Sequence, residues 1–227
     1  MRTLAAVVFD LDDTLYFERD YVSSGFQAVA VWADARLGIP YQVALSELQL
    51  LFDQGYRSNT FDRWIASGRV TDVAYVDVSD LVAVYRAHAP LITPAPGVQA
   101  ALETLRKQCR LGLLSDGHLV VQRKKLSALG LAKSFDAVVF TDEFGRSAWK
   151  PATKGFVILL ERLGVQAAEA VYVGDNPLKD FLGARSVGMK TVRVRNRRGL
   201  YSDLEPPSPQ FAPDIEVATL DNLLSVL

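Results

Sequence analysis

Five short apolar runs punctuate the chain: Leu4–Phe9, Leu111–Leu114, Ala137–Phe140, Ala170–Val173 and Thr191–Val194. The first four are apolar at consecutive positions, without alternation, as in strands buried on both faces of a parallel sheet. Helical stripes lie between them. Val98, Ala101, Leu102 and Leu105 follow an i, i+3, i+4, i+7 spacing, and Phe156, Leu160 and Leu163 form a similar one. Strands alternating with helices predict an α/β fold with a doubly wound, parallel, Rossmann-like sheet. The final stretch, Ile215–Leu227, returns to apolar patterning and predicts an edge strand and a short helix, after a surface loop over Glu205–Pro213 (EPPSPQFAP).

The alternation breaks once. From Tyr16 to about Pro90 no strand is evident, but Phe26, Val29, Ala33 and Leu37 share one helical face and Val78, Leu81, Val82 and Tyr85 another. The three prolines of Ala89–Gly97 (APLITPAPG) suit an extended return segment. An excursion of about 75 residues needs a small core of its own. The division expected is therefore a catalytic core over residues 1–15 and 91–227, with a mostly helical insert, a candidate lid, over 16–90.

Composition then narrows the classes. The 227 residues carry 25 Lys+Arg against 26 Asp+Glu, a net charge of −1, which removes the long-range attraction used by proteins that coat nucleic acids. The basic cluster Arg193, Arg195, Arg197 and Arg198 reads as a solvated turn rather than a phosphate or RNA patch. The single cysteine, Cys109, reads as a small hydrophobe and precludes an intrachain disulfide. The opening apolar run stops at Asp10, too short for a signal-peptide core or a membrane span. A cytoplasmic protein without a membrane or nucleic-acid partner, monomeric or homodimeric, is expected.

Ligands of open α/β sheets bind beyond the carboxyl ends of the strands, so the residues that follow each run carry the chemistry. Asp10, Asp12 and Thr14 follow the first run, Ser115-Asp116-Gly117 the second, and Gly174-Asp175 the fourth, while Lys150 lies in the loop beyond the third. Asp10 and Asp175 are hard oxygen donors suited to Mg2+. Lys150 and Ser115 could hold anionic oxygens. Asp10 and Asp12, two residues apart, could divide the roles of nucleophile and acid/base. Each element alone is commonplace, Asp-x-Asp as a turn and GDNPLKD as a strand-to-helix junction with Pro177 opening the helix and Asp180 in its first turn. Together and in this order they fit in-line phosphoryl transfer.

Residues 7–15 (VVFDLDDTL) resemble the first signature of the haloacid dehalogenase superfamily. Ser115 resembles its second, Lys150 its third and Gly174-Asp175…Asp180 its fourth. The insert falls where that family places its C1-type helical cap. The resemblance implies a phosphatase in which Asp10 is the nucleophile that forms an aspartyl-phosphate, and Asp12 protonates the leaving alcohol and then activates water. Ser115, Lys150 and Thr14 would bind phosphate or orient the nucleophile loop. Asp10, the backbone carbonyl of Asp12 and Asp175 would hold Mg2+, supported by Asp180. Asp116 stands where the family commonly has Asn, and its charge would repel an anion unless it is paired or turned away.

Asp12 also separates the family's reactions. A halide leaves as a stable anion and needs no proton, whereas a phosphate ester's alkoxide does, so Asp12 points to a phosphatase, with a sugar phosphomutase as alternative ahead of a dehalogenase or a silent binding protein. The expected substrate is a small phosphorylated metabolite. Tyr16, Phe17, Arg19, Arg57, Arg63 and Trp64 are candidate pocket residues, as is His118.

Overall fold

The computed structural model describes residues 4–67 and 76–227. Six parallel strands form one sheet: β1 (Ala6–Phe9), β2 (Arg110–Ser115), β3 (Ala137–Phe140), β4 (Ala170–Gly174), β5 (Lys190–Val194) and β6 (Ile215–Val217). Their order is β3-β2-β1-β4-β5-β6, so successive strands run outward from β1 in one direction and from β4 in the other. The sheet is the doubly wound one that the apolar runs predict. β1 is buried at all four positions, which is why its pattern does not alternate.

The chain divides into two compact units, Met1–Arg19 with Ile92–Leu227, and Asp20–Leu91. In the first, Ala6, Val8, Leu114, Val139, Phe156, Leu159, Leu163 and Tyr172 share one buried cluster. Helix α7 (Lys154–Leu163) lays its apolar stripe on that face, against β2 and β3. The alternate residues Val7, Phe9, Leu111 and Leu113 point the other way, and α5 (Val98–Leu105) packs against β2 with Val98, Ala101, Leu102 and Leu105 all buried. Each fully buried large apolar side chain contributes about 1.5–3 kcal/mol relative to exposure. Three further helices complete this unit: α6 (Leu119–Ala128), α8 (Asp180–Ser186) and α9 (Leu220–Leu223). The Pro-containing turn of the GDNPLKD segment precedes α8, which begins at Asp180, three residues after Pro177.

Between β1 and α5 the described residues form helices: α1 (Glu18–Leu37), α2 (Tyr41–Asp53), α3 (Thr60–Ala66) and α4 (Val78–Ala87). Phe26 is the centre of the second unit's core, with edge-to-face contacts to Phe52 and Phe61 at 6.0 Å and a tilted contact to Tyr85 at 6.0 Å. Gly25 allows that approach, because a Cβ there would lie 2.3 Å from the Tyr85 ring. Trp64 is fully buried, and its Nε1 donates to Glu47 at 3.0 Å. α2 and α3 escape the two stripes read from the sequence. The signal for α2 is present as Ala44, Leu48 and Phe52, one buried residue every fourth position. No helix among the described residues is long and apolar enough to cross a membrane.

Candidate active site

Pairing of β1 with its neighbours ends at Phe9, opposite Leu113 and Val173, so Asp10 is the first residue past the ladder. Its N–H still donates to the Val173 carbonyl at 2.8 Å, which fixes where its side chain begins. The sheet order then sets its company. Ser115 ends β2 on one side of β1, Asp175 follows β4 on the other, and the strand order reverses between β1 and β4. That reversal is where α/β sheets place their ligands.

The loop that follows β1 is pinned through Asp13. Asp13 has φ +52°, a left-handed conformation that Asp tolerates better than most residues. Its carboxylate accepts from the backbone N–H of Glu18 at 2.8 Å and of Leu200 at 2.7 Å. Glu18 opens α1 half-buried; burial, then the nearby Asp12 charge, push its carboxyl up to about 7.

One carboxylate oxygen each from Asp10, Asp175 and Asp180 lies within 4.8 Å of the others, and all three residues are buried. The fully buried Lys150 ammonium reaches Asp10 Oδ1 at 2.7 Å, Asp180 Oδ1 at 2.7 Å and the Tyr172 hydroxyl at 2.8 Å. Asp180 is saturated, since its Oδ2 also accepts from the backbone N–H groups of Asp175 at 3.1 Å and Asn176 at 2.8 Å. Gly174 permits this closeness, because a Cβ there would sit 2.6 Å from Asp180 Oδ2. Asp180 therefore shapes the turn that presents Asp175.

The unsatisfied atoms are the informative ones. Asp10 Oδ2, Asp175 Oδ2 and Thr14 Oγ1 are buried without a hydrogen-bond partner among the described residues. Buried polar atoms are rarely left so. The Lys179 ammonium lies 3.9 Å from Asp10 Oδ2. Burial pushes Asp10 up to about 6 against the pull of Lys150, and holds Asp175 well above the ordinary carboxylate range. Burial acts likewise on Asp180, but Lys150 and Lys179 outweigh it and keep that carboxyl low. Two buried oxygen donors without partners, on carboxylates that resist ionisation in isolation, suit a hard divalent cation such as Mg2+.

Asp12 is held elsewhere. Its Oδ1 accepts from Lys125 Nζ at 2.7 Å and from the Tyr16 hydroxyl, and its Oδ2 from Gln122 Nε2 at 2.8 Å. Burial would raise Asp12, but Lys125 and these donors overcome it and bring the carboxyl down to about 2. Tyr16 is pushed well above its usual range by burial and the Asp12 charge, so it remains a donor. Ser115 Oγ lies 2.7 Å from Gln122 Nε2. Asp116 is paired, accepting from Thr141 Oγ1 at 2.7 Å and from the Lys150 backbone N–H at 3.1 and 3.2 Å. Its charge thus secures the Lys150 loop, which removes the objection to an acid beside an anion site.

Gln122, Lys125, Tyr172 and Lys179 are the site residues that strand-end reasoning misses. Gln122 and Lys125 had a signal. They share the buried face of α6 with Leu126, a place where periodicity calls for apolar residues. The basic cluster also needs correction. Arg193 is fully buried, not solvated, and its guanidinium donates to the carbonyls of Asp175 at 3.0 Å and of Tyr201 and Leu204 at 2.8 Å. Arg195 pairs with Glu216 and Glu205, and Arg198 lies 4.0 Å from the ring centroid of the buried Phe17. Arg19 is exposed, Arg63 stacks on Tyr56 at 3.7 Å, and Arg57 lies 5.8 Å from the Phe52 ring. His118 precedes the first turn of α6, half-buried and without a side-chain bond to the helix end.

Comparison with known proteins follows the same lines. Residues 7–194 match the family described as haloacid dehalogenase-like hydrolase. A glyceraldehyde 3-phosphate phosphatase from Methanopyrus kandleri is 34% identical over 231 residues, covering 99% of this chain and 97% of that one. Among solved structures, an HAD phosphatase from Thermococcus onnurineus is 30% identical with a TM-score of 0.64, covering 98% of this chain and 97% of its own. A 2-haloacid dehalogenase from Pseudomonas syringae is 25% identical with a TM-score of 0.66, covering 99% and 98%. With the match spanning β1 to β5 and every motif in order, the chain belongs to the haloacid dehalogenase-like hydrolases.

Proposed function

We propose that the protein is a magnesium-dependent phosphatase, a phosphoric monoester hydrolase that passes its substrate through an aspartyl-phosphate on Asp10. The observation that carries this reading is the pairing of two differently treated carboxylates two residues apart. Asp10 is buried, with Lys150 on its Oδ1 and no hydrogen bond to its Oδ2 among the described residues. Asp12 is clamped by three donors and reaches solvent. One carboxyl sealed in the interior and another at the edge of solvent can divide the roles of nucleophile and acid/base.

Asp10 attacks phosphorus as the P–O bond to the leaving alcohol breaks, and Asp12 delivers a proton to that oxygen. Asp12 then takes a proton from water as the water attacks the aspartyl-phosphate, which releases inorganic phosphate and restores Asp10. For the first step Asp12 must carry a proton. A phosphate dianion entering beside it raises its proton affinity against the pull of Lys125. Ser115 and Lys150, with Thr14, bind the phosphoryl oxygens and steady the loop. Asp10, the Asp12 carbonyl and Asp175 would hold magnesium, with Asp180 fixing the Asp175 turn. When bound, the ion supplies positive charge to the phosphoryl group.

The relative from Methanopyrus kandleri makes glyceraldehyde 3-phosphate the first substrate to try, within the class of small phosphorylated metabolites. We assign residues 16–90 as the cap that selects among them; their place after β1 and their own aromatic core support this. A halide-displacing reading is disfavoured by Asp12, which such chemistry does not need. The test is magnesium-dependent phosphate release from an aryl phosphate and from a metabolite panel that includes glyceraldehyde 3-phosphate. Asp10→Asn is expected to abolish it. Full activity in Asp10→Asn, or no release from any ester, overturns the proposal.

A further inference from the structure

Helix α6 places two polar side chains where a helix on a sheet ordinarily buries apolar ones. Gln122 is 1% exposed and Lys125 5% exposed. One turn apart, at i and i+3, they share a face. A buried ammonium and a buried amide are costly unless their hydrogens are used. Here those hydrogens reach Asp12, Ser115 and Asp116 of the candidate site.

The Gln122 amide nitrogen lies 2.8 Å from Asp12 Oδ2, 2.7 Å from Ser115 Oγ and 2.7 Å from the Asp116 carbonyl. The Asp116 carbonyl and an ionised Asp12 can only accept, so the amide must present its NH2 side. The reverse orientation would set Oε1 against two oxygens. Two amide hydrogens face three oxygens, so one is shared, and because the amide nitrogen accepts no hydrogen bond the Ser115 hydrogen must point elsewhere. Among the described residues that hydrogen has one acceptor, the Asp116 carbonyl at 3.5 Å, the outer limit of a hydrogen bond. Gln122 therefore sets Ser115 as a donor toward an incoming oxygen and orients one side of Asp12. Lys125, at 2.7 Å, with the Tyr16 hydroxyl, orients the other.

We propose that Gln122 and Lys125 are positioning residues of the reaction, one face of α6 aligning the Asp12 carboxylate with the alcohol oxygen and the Ser115 hydroxyl with the phosphoryl group. The inference rests on the assignment of Asp12 as acid/base and Ser115 as a phosphate ligand. It extends the site beyond the loops to a helix interior, and it makes proton delivery depend on a lysine that touches no substrate.

The experiment compares leaving groups. An alkyl phosphate needs a proton on its departing oxygen; p-nitrophenyl phosphate hardly does. Lys125→Met is expected to lower kcat/KM about 100-fold on the alkyl ester and less than about fivefold on the aryl ester, the pattern also expected of Asp12→Asn. Gln122→Met, close to it in volume, is expected to raise the inhibition constant of inorganic phosphate about tenfold through Ser115. Thermal melting confirms that each variant is folded, and Lys125→Gln replaces Lys125→Met if the latter is not. An equal loss on both esters in Lys125→Met, or no loss, while Asp12→Asn keeps its leaving-group dependence, overturns the positioning role and leaves Asp12 standing. An equal loss in Asp12→Asn overturns both.

Discussion

Lys150 is the strongest single point at which to perturb this site. Its ammonium is fully buried and bridges Asp10 and Asp180, each at 2.7 Å, while Asp175 lies within the same acidic group. Asp10 and Asp180 raise its own pKa above the ordinary lysine range despite burial. A lysine so raised contributes its full stabilisation below the unfolded value of about 10.4, and loses it only as pH climbs through the folded value. At pH 7.5 the whole effect is therefore available. Lys150→Met keeps the length of the side chain but leaves two buried carboxyls, Asp10 and Asp180, without the cation they share. Breaking a buried ion pair from one side costs about 3–5 kcal/mol. At about 2–4 °C per kcal/mol for a domain of this size, the melting temperature should fall by about 6–20 °C in EDTA.

Two controls make the reasoning specific. Adding Asp180→Asn to Lys150→Met removes one of the stranded charges, so the double variant should melt above the single one. Magnesium should recover part of the loss, because it supplies positive charge to the same oxygens. The assay is thermal unfolding followed by circular dichroism, in EDTA and in magnesium. A fall of less than about 3 °C in EDTA, or a double variant no more stable than the single, refutes the view that Lys150 neutralises this cluster.

Three further outcomes are expected. Magnesium at about 100 times its dissociation constant should stabilise the protein by about 2.7 kcal/mol. Asp175→Asn should erase that gain, and an unchanged gain would show that the ion binds elsewhere. Glu18, raised to about 7, binds its proton more tightly folded than unfolded, so its contribution to stability falls as pH rises from about 4.5 to about 7. Glu18→Gln should accordingly match the wild type near pH 5 and melt above it at pH 8; a pH-independent difference counts against the buried charge. Arg193→Met strands three carbonyls, at about 1–3 kcal/mol each in the worst case, and should lower both the melting temperature and the apparent magnesium affinity through Asp175. Loss of stability with intact magnesium affinity would assign Arg193 to the Tyr201–Leu204 loop alone.

The legible parts of the sequence were those with one-dimensional signatures. Unbroken apolar runs marked the strands because burial on both faces leaves no alternation to hide them, and the strand-end rule then exposed Asp10, Ser115, Lys150 and Asp175 as a set. What lay hidden was whatever depends on partners distant in sequence. Arg193 sits in a basic stretch that looks solvated until the Tyr201–Leu204 loop folds back over its guanidinium. Gln122 and Lys125 lie 110 and 113 residues from Asp12, and nothing local announces the contact except polar residues on a buried helix face.

The same distinction explains a net charge of −1 in a protein that handles anions. Global basicity would draw phosphates to the whole surface, but screening confines such attraction to about 8–10 Å at physiological ionic strength. Buried, fixed cations act instead at contact distance in a medium that screens them poorly. Lys150 is spent on Asp10 and Asp180, Lys125 on Asp12, and Lys179 lies 3.9 Å from Asp10, so each cation is nearly balanced by a carboxylate before any ligand arrives. Such a site attracts a free phosphate only weakly. On the proposed reading a divalent ion would add charge that the lysines cannot, which would tie substrate affinity, and not turnover alone, to magnesium. Phosphate inhibition measured with and without the ion tests this: an inhibition constant that does not change with magnesium would mean that the lysines suffice.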